Sequence, residues 1–199
     1  MAGPLLAEPS LTDWAPPAHA GITWSLLSVL ITLASIPIFA LPLLVRFHFS
    51  LSLTYTPALF LALILCTLSL VALHELFHAA LMIRFGASPR FAFTFISYFL
   101  PAFYVTAHHD RFTKPQYLTI AAGPAVFFSI LGLLLACLLP SPAFLVLPFS
   151  LHLGGCIGDA FVFIRVLGEP KGTILEDLPT GLRFLRPAVN QLAAPALDG

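Results

Sequence analysis

Four apolar runs, each about as long as a bilayer is thick, constrain this chain more than any other feature. They extend from Ile22 to about Val45, from Thr56 to Ile83, from Tyr117 to Leu139 and from Ala143 to Leu167. About 20 apolar residues cross a hydrocarbon core. Inside that core a backbone must satisfy its own hydrogen bonds, which an isolated run can do only as a helix. Composition agrees: 9% of the 199 residues are charged and 59% are hydrophobic, with mean hydropathy +0.97. A soluble domain carries about 25% charged residues to cover its wet surface, so the outside of this fold is expected to face lipid. The expected fold class is an all-α membrane protein with about four transmembrane helices. Pro37 and Pro42 are expected to kink or end the second half of the first helix. The short link Pro140-Ser141-Pro142 makes the third and fourth helices antiparallel neighbours.

The basic residues set an orientation. Arg84, Arg90, Arg111 and Lys114 lie between helices two and three, and Arg165, Lys171, Arg183 and Arg186 at or beyond the end of helix four. Arg46 alone falls on the other side, so both termini are expected in the cytoplasm and the protein in the cell membrane. Residues 1–21, with four prolines, read as a mobile or surface-lying tail without a cleavable leader. Residues 22–167 read as one intramembrane domain and 168–199 as a cytoplasmic tail. Net charge is zero, which gives no argument for nucleic acid. Cys66, Cys137 and Cys156 lie in apolar runs and form no disulfide framework. Between helices two and three, Phe91, Phe93 and Phe95 alternate with Ala92 and Thr94, a period-2 pattern. With Phe103-Tyr104-Val105-Thr106 beyond Pro101, it predicts a β-hairpin or re-entrant segment on the cytoplasmic side.

The second run carries His74-Glu75-Leu76-Phe77-His78. Four helical positions advance about 400°, so the two imidazoles stack on one face at the spacing that lets them share a Zn²⁺. Glu75 then stands beside them as a general base for water. A catalytic zinc site needs a third protein ligand. Asp159, in Gly154-Gly155-Cys156-Ile157-Gly158-Asp159, is the acidic residue inside the fourth run. Depth supports it. His78 precedes Arg84 by six residues and Asp159 precedes Arg165 by six, about 9 Å below the same boundary at 1.5 Å per residue. Gly154, Gly155 and Gly158 are expected to permit a close helix approach or local unwinding. Cys156 is the alternative ligand, and His152 a group behind the ligands or on the substrate side. His108-His109-Asp110 reads as a solvated loop cluster, with a ligand or gating role as the other reading.

The helical HELFH, the Phe-rich strand-like segment, Gly123-Pro124 at the start of helix three and Gly158-Asp159 in the last helix resemble the intramembrane zinc metalloproteases of the site-2 protease clan. Within that clan they resemble the small bacterial family described as "putative zincin peptidases", over about residues 56–167. The resemblance implies zinc on His74, His78 and Asp159, Glu75 as general base, and hydrolysis of peptide bonds in or beside the bilayer. Its substrate would be a membrane protein or membrane-associated peptide. In two places the chain departs from site-2 proteases: Ala125-Val126-Phe127-Phe128 follows Gly-Pro where an asparagine is usual, and Gly-Asp stands without the fuller Asn-Pro-x-x-Asp-Gly motif. Two other functions fit the same residues. One is a non-proteolytic metal-dependent membrane hydrolase; the other is a transporter or scaffold with buried His, Glu and Asp groups.

Overall fold

The computed structural model describes residues 10–17, 20–46, 56–96, 100–139, 142–178 and 181–187. Strand β1 (Ser10–Trp14) precedes two long helices, α1 (Ala20–Arg46) and α2 (Pro57–Arg84). Strands β2 (Arg90–Ile96), β3 (Leu100–Thr106) and β4 (Arg111–Thr113) lead into α3 (Lys114–Leu138). The last apolar run is a 3₁₀ turn (Pro142–Leu145) followed by α4 (Val146–Gly155) and α5 (Ile157–Leu167), and β5 (Ile174–Leu178) and β6 (Gly181–Arg186) follow. Four helical segments are long and apolar enough to cross a membrane: Gly21–Arg46, Pro57–Arg84, Lys114–Leu138 and Ala143–Leu167. Their outer faces carry exposed Leu33, Phe60, Leu65, Leu68 and Leu134.

Local chemistry sets the helix ends. Thr56 accepts from the Leu59 amide, and Pro57 occupies the first turn, where its missing N–H costs nothing. Thr113 and Gln116 form a reciprocal capping box that starts α3. Pro37 and Pro42 do not end α1, which continues to Arg46. There Arg46 reaches across to the Cys137 and Leu139 carbonyls at 2.6 and 3.1 Å, supplying donors to the end of α3.

All-α is too narrow a description. The Phe-rich segment is an antiparallel hairpin, with Phe91 opposite Val105 and Phe93 opposite Phe103. A second sheet, which the sequence reading did not foresee, has order β1-β6-β5-β4. It draws strands from both stretches read as tails. Its physical basis is an alternation that buries Leu175, Leu182 and Phe184 against Met82, Phe112, Tyr117 and Val166. Every described strand follows α2 or α5 or precedes α1, so the strands gather at one end of the bundle, with Arg46 at the other. A separate apolar cluster around Phe39, Leu70, Phe128 and Phe149 fills the far half. Along α2, His74 and His78 fall between Leu70 of one cluster and Met82 of the other.

Two contacts tie the pieces together. Gly154 of α4 lies so close to α1 that a Cβ there would stand 2.0 Å from Thr32 Oγ1 and 2.6 Å from the Ser28 carbonyl. Buried Glu169 accepts from Arg186 at 2.6 and 2.9 Å and also from Arg165, joining α5 to β6. The Arg186 guanidinium, with Arg165, holds its carboxyl below the usual range. Glu169→Gln is expected to lower stability by about 1–3 kcal/mol at neutral pH. Because the folded pKa is depressed, that contribution exists above the unfolded value of about 4.3 and disappears as pH falls through the folded one. Unfolding temperatures of the two proteins in detergent should therefore converge under acid, and a constant gap would refute the ion-pair account. Gly154→Val should cost about 1–3 kcal/mol by forcing α1 away from α4; an unchanged unfolding temperature would show that the contact is loose.

Candidate metal centre

The fourth apolar run breaks at Cys156, whose backbone has φ −71° and ψ 7°. The break lets α5 begin afresh, with Asp159 in its first turn, where the helix dipole favours a negative charge. From there the carboxylate meets the histidine face of α2. Asp159 Oδ2 lies 3.1 Å from His74 Nε2, and Oδ1 lies 3.4 Å from His78 Nε2. The two Nε2 atoms are 3.0 Å apart. A tetrahedral ion with bonds of about 2.0–2.1 Å spaces its ligands about 3.3 Å apart, so the donor set fits one ion. His74, His78 and Asp159 are among the metal-sized groups of the described residues.

The tautomers needed are supported on the far side of His74. Its Nδ1 lies 3.1 Å from His152 Nε2, so an Nδ1 proton has an acceptor and Nε2 keeps its lone pair for an ion. His152 is thus brought to His74, and Cys156 to both, whereas Cys156 is not part of the Asp159 group. Gly154 makes the close approach that the glycine run suggested, while nothing lies within 4 Å of a Cβ at Gly155 or Gly158. Gly123 opens α3 to α2, where a Cβ would stand 2.6 Å from Leu81 Cδ1.

Glu75 is placed by the hairpin. Its Oε2 accepts from the Val105 amide at 2.9 Å. Antiparallel partners alternate between bonded and non-bonded pairs, and Val105 turns its amide away from β2 to meet Glu75 of α2. A cavity of about 130 Å³ opens among Glu75, His78, Tyr104, Val105, Tyr117 and Asp159. Another of about 130 Å³ touches Glu75, His74 and His152 from the other side. An apolar hollow of about 220 Å³, including Ile31, Val126 and Phe163, reaches Asp159 between the helices.

Sequence reasoning missed Asp177 and Tyr117. Asp177 is buried in β5 and accepts from Thr106 Oγ1 at 2.5 Å, the Ala107 amide at 2.8 Å and Tyr117 OH at 3.5 Å. Burial pushes its carboxyl up, against the bonds from Thr106 and Ala107 that hold it down. It thereby fixes the chain directly after Val105. No local pattern marks it, because its partners are about 60 to 70 residues away. The His108-His109-Asp110 cluster belongs to this region rather than to the donor set. His108 bridges to Asp177, His109 is exposed, and Asp110 accepts from the Ser88 amide at 2.7 Å.

A helix-borne His-Glu-x-x-His run whose donor set is closed by a carboxylate from another helix is the arrangement expected of a zincin-type metallopeptidase. The family comparison agrees. Residues 67–174, more than half of the chain, match the family model described as "Putative zincin peptidase", and the chain belongs to that family. No curated protein and no solved structure gives a match. Membership implies zinc, and the donor atoms of His74, His78 and Asp159 suit it. Zinc at about a hundredfold excess over its Kd should stabilise the protein by about 2.7 kcal/mol, and a chelator should reverse the gain. In a Cys156→Ser background, which removes the alternative ligand, Asp159→Ala should lose most of that shift in a thermal-unfolding assay; a variant that still responds to zinc like its parent would exclude Asp159 from the site.

Proposed function

We propose that this chain is an intramembrane zinc metallopeptidase related to site-2 proteases, cleaving membrane-associated proteins or peptides. The observation that carries this reading is the convergence of His74 and His78 from α2 with Asp159 from α5, beside the carboxylate of Glu75. In this reading His74, His78 and Asp159 hold the ion. Zinc bound there supplies a Lewis acid for the scissile carbonyl and makes water acidic enough to deprotonate near neutral pH.

Glu75 takes the proton of the attacking water and returns it to the leaving nitrogen. Its present hydrogen bond has a consequence for substrate. A peptide that adds as a strand along the outer edge of β3 would claim the Val105 amide. Glu75 Oε2 would then be released toward the 130 Å³ cavity it lines. A substrate helix must unwind locally to pair in this way, which selects segments with weak helical cohesion. The eight basic residues at the strand-bearing end support cytoplasmic termini and a membrane-embedded site below the inner face.

Glu75→Gln should keep stoichiometric zinc and lower cleavage by at least about two orders of magnitude, whereas His78→Ala should lose both. Retained cleavage by Glu75→Gln would remove Glu75 from the mechanism. The apolar hollow that reaches Asp159 favours one second reading, hydrolysis of a lipid or small amide by the same residues. Reconstituted protein offered single-pass protein substrates and a lipid panel separates them: turnover of lipid alone would overturn the peptidase reading.

A further inference from the structure

His74 is engaged on both edges of its ring. Nε2 faces His78 and Asp159, while Nδ1 lies 3.1 Å from His152 Nε2 and 3.8 Å from Cys156 Sγ. Cys156 Sγ is also 3.9 Å from His152 Nδ1, the ring nitrogen other than the one that faces His74, and one ligand atom from each of the three residues lies within 4.8 Å of the others. Both residues are buried, at 6% exposure for His152 and 4% for Cys156. Their separation of four positions puts Cys156, which caps α4, one turn below His152 on the same face, while Gly154 sets α4 close against α1. An ion with Zn–N of about 2.0–2.1 Å and Zn–S of about 2.3 Å sets N···N edges near 3.3 Å and N···S edges near 3.6 Å. The edges from His74 Nδ1 are close to both values.

We propose that His74 Nδ1, His152 and Cys156 form a second cation seat, suited to a thiophilic divalent ion such as Cd²⁺ or surplus Zn²⁺, which competes with the first seat for His74. The chemistry of the donors gives the preference: a thiolate with two imidazoles is softer than two imidazoles with a carboxylate. At rest the thiol donates to the His152 carbonyl at 3.2 Å. An arriving ion displaces the thiol proton to solvent and takes the sulfur. Competition follows from the ring itself. A neutral imidazole has one lone pair, so an ion on Nδ1 puts the proton on Nε2 and removes a donor from the first seat. Filling the second seat is therefore inhibitory. The inhibition rests on the proposed role of the first seat, whereas the second seat stands on its own geometry.

Co²⁺ added to the purified full-length protein reads both seats, because a thiolate–Co²⁺ bond produces a near-ultraviolet charge-transfer band and nitrogen–oxygen ligation does not. Asp159→Ala is expected to bind one Co²⁺ with the band, Cys156→Ser one Co²⁺ without it, and the double variant none. Absence of the band in Asp159→Ala at saturating Co²⁺ overturns the seat and leaves Cys156 as a helix hydrogen bond only. If Asp159→Ala does not fold, the wild-type zinc form titrated with Cd²⁺ decides. A thiolate–Cd²⁺ band that grows with loss of one zinc, and is missing in Cys156→Ser, supports the proposal. The band with zinc fully retained overturns the competition, and Cd²⁺ uptake without the band overturns the seat. Should Cys156→Ser hold no Co²⁺ while Asp159→Ala keeps the band, the first seat fails and the second survives.

Discussion

A carboxylate among apolar helices has to be neutralised where it stands. Removed from water without a partner, such a group costs several kcal/mol, and the bundle is arranged so that Asp159 never faces that situation. The break at Cys156 turns the start of α5 so that the carboxylate meets two imidazoles of α2. Gly154, two residues earlier, seats α4 on α1, and Gly123 admits α3 against Phe77 and Leu81 of α2. A helix shifted by one residue would rotate its side chains by about 100° and part the histidines from the carboxylate. The polar trio is thus a strict register mark for helices whose apolar surfaces would slide more freely.

The strand-bearing end makes a second set of constraints, and it reaches the same point by a different route. Glu169 joins α5 to β6, and Lys114 at the head of α3 donates to the Leu167 and Glu169 carbonyls at the foot of α5. Within this end Asp177 holds Thr106, Ala107 and Tyr117, and the next residue back, Val105, holds Glu75. One chain of hydrogen bonds therefore runs from the second sheet through the end of β3 to the carboxylate beside the histidines. The helices place the ligand-type atoms, while the sheet places Glu75. That division suits a site in which three groups must stay fixed and one must move a proton.

The four long helices were legible because hydropathy over 20 residues is a local property, and the hairpin was legible because Phe91, Phe93 and Phe95 alternate. The pairing of Asp159 with the histidines was accessible through depth alone, since His78 and Asp159 lie equally far from Arg84 and Arg165. The second sheet was not. Ser10 pairs with Arg186 across nearly the whole chain, and Thr12-Asp13 or Leu182-Arg183 on their own are too short a signal to separate strand from tail. The interruption between α4 and α5 was hinted at by Gly154-Gly155, but hydropathy does not register a broken helix. The bond from Val105 to Glu75 had no signal at all, because a backbone amide carries no side-chain identity.

The donor geometry also bears on the transporter and scaffold alternatives. Stitching helices together needs donors opposite acceptors, as in the Thr106–Asp177 contact, where a hydroxyl meets a carboxylate. Around His74 the arrangement differs. Two imidazole nitrogens 3.0 Å apart both approach the same carboxylate, and the far nitrogen of His74 already has its own acceptor in His152. With the Nδ1 proton of His74 directed to His152, its Nε2 offers a lone pair toward the Asp159 carboxylate, which offers lone pairs as well. Protonating His78 would satisfy part of this triangle, but only a cation at its centre satisfies all three corners together. Glu75 adds to the asymmetry: among the described residues its hydrogen bond goes to a strand edge and not to another helix. Electrostatics thus favours an ion in the triangle, and the tether of Glu75 favours a peptide as the molecule that uses it.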